Sequence, residues 1–423
     1  MPAPETHRAS ALPILVVGGG IAGMTCAIEA AEAGNSVVLV EKAAYLGGRV
    51  AGFHQYFPKL CPPSCGIEIN LRRLRSHPAI TVYTLAELKD LSGQCGDYEA
   101  IVRLNPRYVS DCCTACGECS RVCPSEAPDP FDYGMSNAPA IRLPHRFAWP
   151  VRYAVDRDAC MDDCHACVDA CRYAAVDLNQ QPALLKLRVA SLVIATGWAP
   201  YDATRIDNLG FHRFVNVVSN VMLERQAAVD GPTAGRILRP SDGKPPRAIA
   251  FVQCAGSRDE NYLPYCSGVC CTASLKHAAY LRSQYPEAKI TMFYIDLRTP
   301  GELDRFAAKM IADTGIELIK GKVARVQEHP ASRDLLVTAE DVLRGRKITR
   351  EYDLLVLATG MVPQTADLPI GIRLDEFGFV KENGAGIYAA GCAWKPENAA
   401  SSVQNATGAA LKAMQSVSVE QPS

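Results

Sequence analysis

Residues 14–42 read ILVVGGGIAGMTCAIEAAEAGNSVVLVEK. The apolar run Ile14–Val17 has the length of a buried strand and feeds Gly18-Gly19-Gly20-Ile21-Ala22-Gly23, a G-x-G-x-x-G. Gly18 permits a tight turn, Gly20 lets backbone N–H groups approach a pyrophosphate at a helix N-terminus, and Gly23 lets that helix lie close to the strand. A second apolar strand ends in Glu41, an acid placed to hydrogen-bond a ribose hydroxyl. Strand, turn, helix, strand and acid fall in register within about 30 residues, which predicts a dinucleotide-binding βαβ unit.

Working outward, Leu46-Gly47-Gly48-Arg49 is a second glycine turn just beyond Lys42. The loop Tyr56–Gly66 follows, with Cys61 and Cys65 in a proline-rich setting where they could be redox-active, ligate a metal, or be incidental. Cys26, inside the apolar helix, reads as a core residue, and Cys95 is treated likewise.

The composition changes abruptly from about Pro106 to Asn179, where nine of the eighteen cysteines fall. Cys113-x2-Cys116-x2-Cys119-x3-Cys123-Pro124 has the bacterial ferredoxin spacing without a gap. Cys160-x3-Cys164-x2-Cys167-x3-Cys171 is the same run with one extra residue and Arg172 in place of the proline. In such pairs three thiolates of each run hold one [4Fe–4S] cube and the fourth crosses to the other. Cys113, Cys116, Cys119 and Cys171 are therefore assigned to one cluster, and Cys160, Cys164, Cys167 and Cys123 to the other. Zinc is the competing occupant, but its sites usually carry two well-separated cysteine pairs rather than four cysteines in one run. Cys112 reads as a bystander and His165 as a solvated loop histidine.

Strand character returns at Leu185–Ala195 and ends in Ala195-Thr196-Gly197-Trp198, a device that recurs at Leu354–Pro363, LLVLATGMVP. Val229–Pro246 reads as a glycine- and proline-rich linker. A second Rossmann-like unit starts with the strand Ala248–Val252, but where a second glycine fingerprint would follow, the chain reads Gln253-Cys254-Ala255-Gly256-Ser257. No cradle for a nicotinamide dinucleotide is expected there. Cys266-x3-Cys270-Cys271 then leads into a helix expected at Thr272–Gln284, and with Cys254 it makes four thiolates, read as a third iron–sulfur site; a disulfide or a buried thiol group is the alternative. The strand Ile290–Ile295 and helix Pro300–Thr314 continue the alternation, and Ala399–Ser416 is a final helix.

Composition limits the functions available. Lys+Arg number 44 and Asp+Glu 45, leaving no electrostatic footprint for nucleic acid or anionic lipid. The polar stretch Met1–Ala11 lacks the pattern of a signal peptide, and no apolar run reaches the roughly 18 residues of a membrane span. Cysteines in a chain without an export signal point to metal or redox chemistry rather than structural disulfides. No nucleophile triad or metal-bound water site is apparent, so the expected chemistry is electron relay without a catalytic residue acting on a small substrate.

An N-terminal G-x-G-x-x-G, then Glu41-Lys42, then Gly47-Gly48-Arg49 resembles the FAD-binding start of two-dinucleotide-binding-domain flavoproteins of the thioredoxin reductase kind. In those proteins A-T-G marks where the chain leaves and re-enters the FAD domain. The resemblance implies an α/β fold with FAD-binding segments at 12–105, 182–232 and 356–416, an inserted ferredoxin-like module at 106–181, and a second Rossmann-like domain at 245–355. It implies FAD contacts from Gly18, Gly20, Gly23, Glu41, Lys42, Gly48, Arg49, Thr196 and Gly197. It also implies contacts from Gly391 and Cys392, where Cys392 stands in the place of the usual aspartate and the Gly391 backbone is left to contact the flavin.

The fingerprint, the two ferredoxin runs and Cys254…Cys266-x3-Cys270-Cys271 together resemble the HdrA-like flavoprotein family of heterodisulfide reductases. Within it, QYFPKLCPPSCGIEIN, VQCAGSRDENYLPYCS and FYIDLRTPG are most similar to the branch found in quinone-interacting membrane-bound oxidoreductases. That resemblance implies a cytoplasmic protein held at the inner membrane face by its partners: a second flavin/iron–sulfur subunit, and a membrane subunit reaching the quinone pool. It also implies electron exchange with adenylylsulfate reductase. The alternative it leaves is a soluble heterodisulfide reductase-like sulfur-oxidation complex.

Overall fold

A computed structural model describes residues 12–417 apart from 370 and 383; Met1–Ala11 lies outside the described residues. The chain begins with strand β1 (Ile14–Val17), helix α1 (Ile21–Glu32) and strand β2 (Val37–Glu41), as the sequence predicts. Helix α2 (Ser64–Ser76) and β3 (Ile80–Thr84) follow, then the antiparallel pair β4 (Ala86–Gln94) and β5 (Asp97–Leu104). The chain re-emerges as β6 (Ala183–Val189), which pairs antiparallel with β5, and β7 (Ser191–Ile194). Next come β8 (Val217–Ser219), α3 (Asn220–Ala227), β9 (Ala248–Ala255), α4 (Cys270–Gln284) and β10 (Lys289–Tyr294). Helix α5 (Leu303–Thr314) and β11 (Glu317–Lys320) lead to a meander of β12 (Val323–Glu328), β13 (Leu335–Asp341) and β14 (Arg346–Tyr352). The chain closes with β15 (Leu354–Thr359), β16 (Ile387–Ala389) and α6 (Ala399–Val417).

Two parallel five-stranded sheets result. The first has the order β16-β7-β1-β2-β3 and the second β8-β15-β9-β10-β11. In the first, β1 is central and fully apolar because both faces are covered, which is why it reads as a continuous run rather than an alternation. Its Ile14 and Val16 face α1, α2 and α6, while Leu15 and Val17 face β4, β5 and β6. A Cβ at Gly23 would lie 1.8 Å from the Gly18 carbonyl oxygen, so only glycine lets α1 approach β1 this closely.

Three readings are corrected by the fold. The proline-rich loop passes into α2 at Ser64, with Cys65 in its first turn. The segment read as a linker is packed: Ile237 is fully buried in the core of the second sheet, and Arg239 is buried beside Asp242, Asp334 and Asp353. Helix α4 starts at Cys270 rather than after Cys271, so both cysteines sit in its first turn.

Residues between β5 and β6 form a separate small core, joined to the rest by a buried arginine. Arg225 of α3, 2% exposed, donates to Asp132 at 2.9 Å, to the Gly52 carbonyl at 3.1 Å and to Asp230 at 3.3 Å. Its guanidinium also lies 4.6 Å from the Phe131 ring centroid. One forked side chain thus ties the cysteine-rich segment, the loop after the first glycine turns and the start of the second sheet into one arrangement.

Candidate functional site

A cavity of about 640 Å³ opens beyond the C-terminal ends of the first sheet's strands. Ligands bind at this edge in open α/β sheets. Of the predicted contacts, Gly20, Glu41, Gly48, Arg49, Thr196, Gly197 and Cys392 line it. Gly20 and Gly47 bridge, and a Cβ on Gly20 would meet only the Gly48 Cα at 3.9 Å, so the two glycine turns form an open backbone cradle. At Gly197 a Cβ would meet nothing within 4 Å, and the buried Thr196 Oγ1 has no hydrogen-bond partner. The Glu41 carboxylate accepts from the Gly19 N–H at 2.5 Å and the Ala43 N–H at 2.7 Å, which anchors it at the cavity wall. Arg49 donates to the Trp198 carbonyl and to Tyr133 Oη, and stands 5.3 Å from the Trp198 ring centroid. A bare glycine cradle, an orphaned hydroxyl, an arginine and the first turn of α6, whose Ala399 and Ser402 line the same space, could hold a dinucleotide with a planar ring system.

Two predicted contacts lie elsewhere. Lys42 points outward, with Nζ 3.1 Å from Asp367 and 3.8 Å from Glu87. The Gly391 N–H, which the sequence leaves for the flavin, is taken by Asn405 Oδ1 at 2.7 Å. Gly18 and Gly23 act by shaping the turn rather than lining the cavity: a Cβ at Gly18 would meet the Ala195 carbonyl oxygen at 2.3 Å.

Sequence reasoning missed the buried polar network beside the cavity. Glu224, Lys276 and His277 all line it and are each at most 4% exposed. Glu224 accepts from Lys276 Nζ at 2.7 Å and pairs with His277 Nε2 at 2.5 Å through one oxygen; the other receives the His54 and Gln55 backbone N–H groups at 2.8 and 3.2 Å. Burial pushes the Glu224 carboxyl up, but Lys276 and His277 outweigh it and hold the group well below the usual carboxylate range. Burial pulls His277 down, and its Nδ1 is buried without a partner. The network is therefore a carboxylate held in its charged form, a lysine whose pKa burial lowers against the support of Glu224, and an imidazole with one ring nitrogen free. The signal in the sequence was Lys276-His277 on the apolar face of a helix, between Leu275 and Ala278.

The nine-cysteine segment gathers its sulfurs around one apolar nucleus. Cys119 and Cys167 are buried with Val109, Ile141, Val155 and Val176, and Cys113, Cys123, Cys160 and Cys171 pack against them. Burial raises Cys119 to about 11, with Cys113, Cys116 and Cys167 adding to the rise. Burial likewise raises Cys167, whose thiol neighbours are Cys160, Cys123 and Cys164. Cys123 is thus a neighbour of Cys167, and Cys167 is in turn the neighbour of Cys119 from the second run. Ala115, at φ 56°, turns its N–H onto Cys113 Sγ at 3.4 Å, and the Ala175 N–H reaches Cys171 Sγ at 3.3 Å. Such N–H···S bonds stabilise thiolates. Among the described residues, no three Cys, His, Asp or Glu groups converge as ligands of a single metal ion. Cys112 and His165 are exposed.

The third group stands between β9 and α4. A bulge after Val252 leaves Cys254 in the left-handed region at φ 55°, and instead of a glycine turn the chain makes a long loop to Cys266. Burial raises Cys270, and Cys271, Cys254 and Cys266 add to it, so the four thiols are mutual neighbours. The Arg298 N–H reaches Cys271 Sγ at 3.5 Å and the Gly268 N–H reaches Cys266 Sγ at 3.4 Å. Gln253, Ser257 and Thr272, chain neighbours of these cysteines, are buried, and neither Gln253 amide atom nor either hydroxyl has a partner. Orphaned donors and N–H groups aimed at sulfur fit an iron–sulfur group held by the four cysteines. Cys270 packs with Trp198, Val269, Met361 and Cys392, all of which line the cavity, while Val155 of the nucleus around Cys119 and Cys167 lines it too. Cys61 is half-buried near the Lys59 carbonyl, and Cys65 is exposed.

One consequence concerns acid. His145, 7% exposed, stacks on Phe131 at 4.9 Å and meets Tyr45 edge-on at 4.7 Å. Burial pulls its pKa down to about 4. The unfolded chain takes up this proton near pH 6.5 and the folded chain does not, so stability is lost as pH falls below about 6.5. Between pH 6.5 and 5 the loss from this residue is about 2 kcal/mol. Denaturant midpoints measured over that range should fall less steeply in His145→Phe; parallel slopes would contradict the assignment.

A family model described as an NAD(P)-binding Rossmann-like domain matches residues 16–78. The chain is 35% identical over 416 residues to the A component of the H(2):CoB-CoM heterodisulfide,ferredoxin reductase of Methanothermobacter marburgensis, covering 94% of this chain and 63% of that one. It is 35% identical over 428 residues to the A component of the Ferredoxin/F(420)H(2)-dependent CoB-CoM heterodisulfide reductase of Methanosarcina acetivorans, covering 97% and 54%. The chain therefore spans less than two thirds of the length of these relatives. Among solved structures it resembles the thioredoxin reductase of T. acidophilum, with a TM-score of 0.53 at 14% identity, 96% of this chain and 98% of that one covered. The bacillithiol disulfide reductase of Bacillus cereus gives 0.52 at 12%, covering 96% and 98%. The fold is that of the thioredoxin reductase-like flavoproteins.

Proposed function

We propose that this chain is an oxidoreductase component of the HdrA kind, relaying electrons between partner proteins through FAD and iron–sulfur clusters. The observation that carries the reading is the shared wall. Val155 belongs both to the cavity and to the nucleus of the two ferredoxin runs, while Val269, Met361, Trp198 and Cys392 belong both to the cavity and to the packing around Cys270.

Bound in the cavity, FAD would supply two-electron chemistry coupled to the one-electron chemistry of cysteine-held clusters. The chain's own residues bind and orient it: Gly20 and Gly48 leave room for the pyrophosphate, Glu41 stands at the ribose, and Arg49 and Thr196 offer donors. Lys276 places its Nζ group at the wall, Glu224 holds that lysine and His277 in place, and His277 Nδ1 can accept or return a proton. Cys113, Cys116, Cys119 and Cys171, then Cys160, Cys164, Cys167 and Cys123, would hold two [4Fe–4S] clusters. Cys254, Cys266, Cys270 and Cys271 would hold the third. The domain boundaries set out from the sequence are part of this reading, except that β8 and the whole of β15 pair within the second sheet, which takes residues 217–219 and 356–359 out of the FAD-binding segments.

Within this family we assign the chain to the branch that serves the quinone pool, with adenylylsulfate reductase as the soluble partner, a second flavin/iron–sulfur subunit, and a membrane subunit. Among the described residues no helix is long and apolar enough to cross a membrane, so that last partner would provide the span. The three stretches that carry the resemblance meet at one place. Phe57 packs beside Cys270, Arg258 bonds Asp296, and Arg298 reaches Cys271. The second reading, a soluble sulfur-oxidation complex acting on a thiol-bearing partner, is favoured by the names of the relatives, which are heterodisulfide reductase components. Anoxic purification from the source cells with mass spectrometry of the co-purifying chains separates the two. A membrane-embedded partner supports the quinone branch; recovery only with soluble heterodisulfide-cleaving or thiol-carrier proteins would move the chain to the other.

A further inference from the structure

Arg107 joins β5 to the first cysteine run, and its side chain turns inward. It is 7% exposed. All of its side-chain hydrogen bonds go to neutral oxygens: NH1 to the Arg152 carbonyl at 3.2 Å, and NH2 to the Ala44 carbonyl and Thr84 Oγ1, each at 2.6 Å. Among the described residues no carboxylate pairs with it. The nearby cation Arg152 is matched by Asp111. Burial, then Arg152, lowers the Arg107 pKa to about 10, with Cys113 acting in the opposite direction, so the guanidinium stays charged at neutral pH. A buried cation with only neutral partners is expensive unless an anion completes its surroundings. The group that answers this description is the sulfur of Cys113, which enters the same nucleus as Val155, the residue whose N–H bonds the Arg107 carbonyl at 3.2 Å. Deprotonated thiolates around a cube leave a net negative charge that grows on reduction.

We propose that Arg107 is the counter-cation of the cluster held by Cys113, Cys116, Cys119 and Cys171, raising its midpoint potential above the value it would have without the arginine; the second run has a cation of its own, Arg157, whose NH1 donates to Cys160 Sγ at 3.5 Å. A fixed positive charge stabilises the more negative, reduced state of the cluster beside it. The assignment rests on the iron–sulfur reading of the two runs. Arg107 hydrogen-bonds no sulfur and does not line the cavity, so it acts as a tuning residue.

The test is an EPR-monitored redox titration of the anoxically purified full chain. In Arg107→Gln the midpoint of one ferredoxin cluster should move to more negative potential while the other stays, and Arg107→Lys should restore most of the shift. Thr84→Asp, which supplies the missing carboxylate 2.6 Å from the guanidinium, should move the same cluster in the same direction without removing the arginine. It serves as the independent variant should Arg107→Gln lose its clusters. Unchanged midpoints in Thr84→Asp, or equal shifts in Arg107→Lys and Arg107→Gln, would overturn the charge assignment. A wild-type chain without either cluster signal would instead overturn the iron–sulfur reading on which it rests.

Discussion

Lys276→Met should lower the free energy of unfolding by about 3–5 kcal/mol, the cost of leaving a buried charge without its partner. Lys276 is 4% exposed, donates to Glu224 at 2.7 Å and to the Gln55 carbonyl at 2.7 Å, and rests against the rings of Phe53 and Tyr280. Removing it leaves the Glu224 carboxylate with a histidine that burial keeps neutral. Burial would then dominate, and the carboxyl would rise toward protonation or share a proton with His277. The stability loss should consequently be smaller at pH 5 than at pH 8, because the lone carboxylate is relieved by a proton. Glu224→Gln leaves the opposite charge behind, so the double variant should lose less than the sum of the singles. Urea unfolding of the four proteins at the two pH values decides this; additive losses would show that the pair does not act as a unit.

Cys270→Ala should remove about four iron and four sulfide per chain while FAD content stays at the wild-type level. Cys270 lies in the first turn of α4, with Cys271 beside it and Cys254 and Cys266 as thiol neighbours. Loss of one ligand of four should abolish the site, since the remaining thiols keep their burial but not a closed coordination shell. Its packing partners Val269, Met361 and Cys392 form cavity wall rather than the glycine cradle, which is why the flavin should remain. Cys65→Ala, on an exposed turn, is the matched control and should leave iron unchanged. Equal iron in Cys270→Ala and wild type would show that the quartet holds no cluster.

The legible parts of this molecule are those in which function is written locally. The turn at Gly18–Gly23 and the acid at Glu41 are dictated by one βαβ unit, and β1, α1 and β2 occur where the pattern places them. The two cysteine runs are legible as one local unit, since cysteines of both pack into one nucleus. What escapes a local reading is assembled over long sequence separations. Glu224 meets Lys276 and His277 across 52 and 53 residues, from two different helices. Arg225 meets Asp132 across 93, and neither looks different from a surface residue in the chain. Lys42 departs from its expected place because the strand ends one residue earlier, and the next side chain turns outward to Asp367. Gly391 departs because its competitor for the N–H, Asn405, lies in α6, fourteen residues on. Val229–Pro246 has the composition of a linker, yet Ile237 and Arg239 pin it into the core.

The central claim is that one cavity holds FAD at a junction of three cysteine-held clusters. The most direct measurement is the iron, acid-labile sulfide and FAD content of the anoxically purified chain, with its spectrum recorded during dithionite reduction. The account predicts about twelve iron, about twelve sulfide and one FAD per chain, with flavin bleaching as the clusters reduce. Zinc in place of iron, or a full iron complement with no flavin, would contradict it.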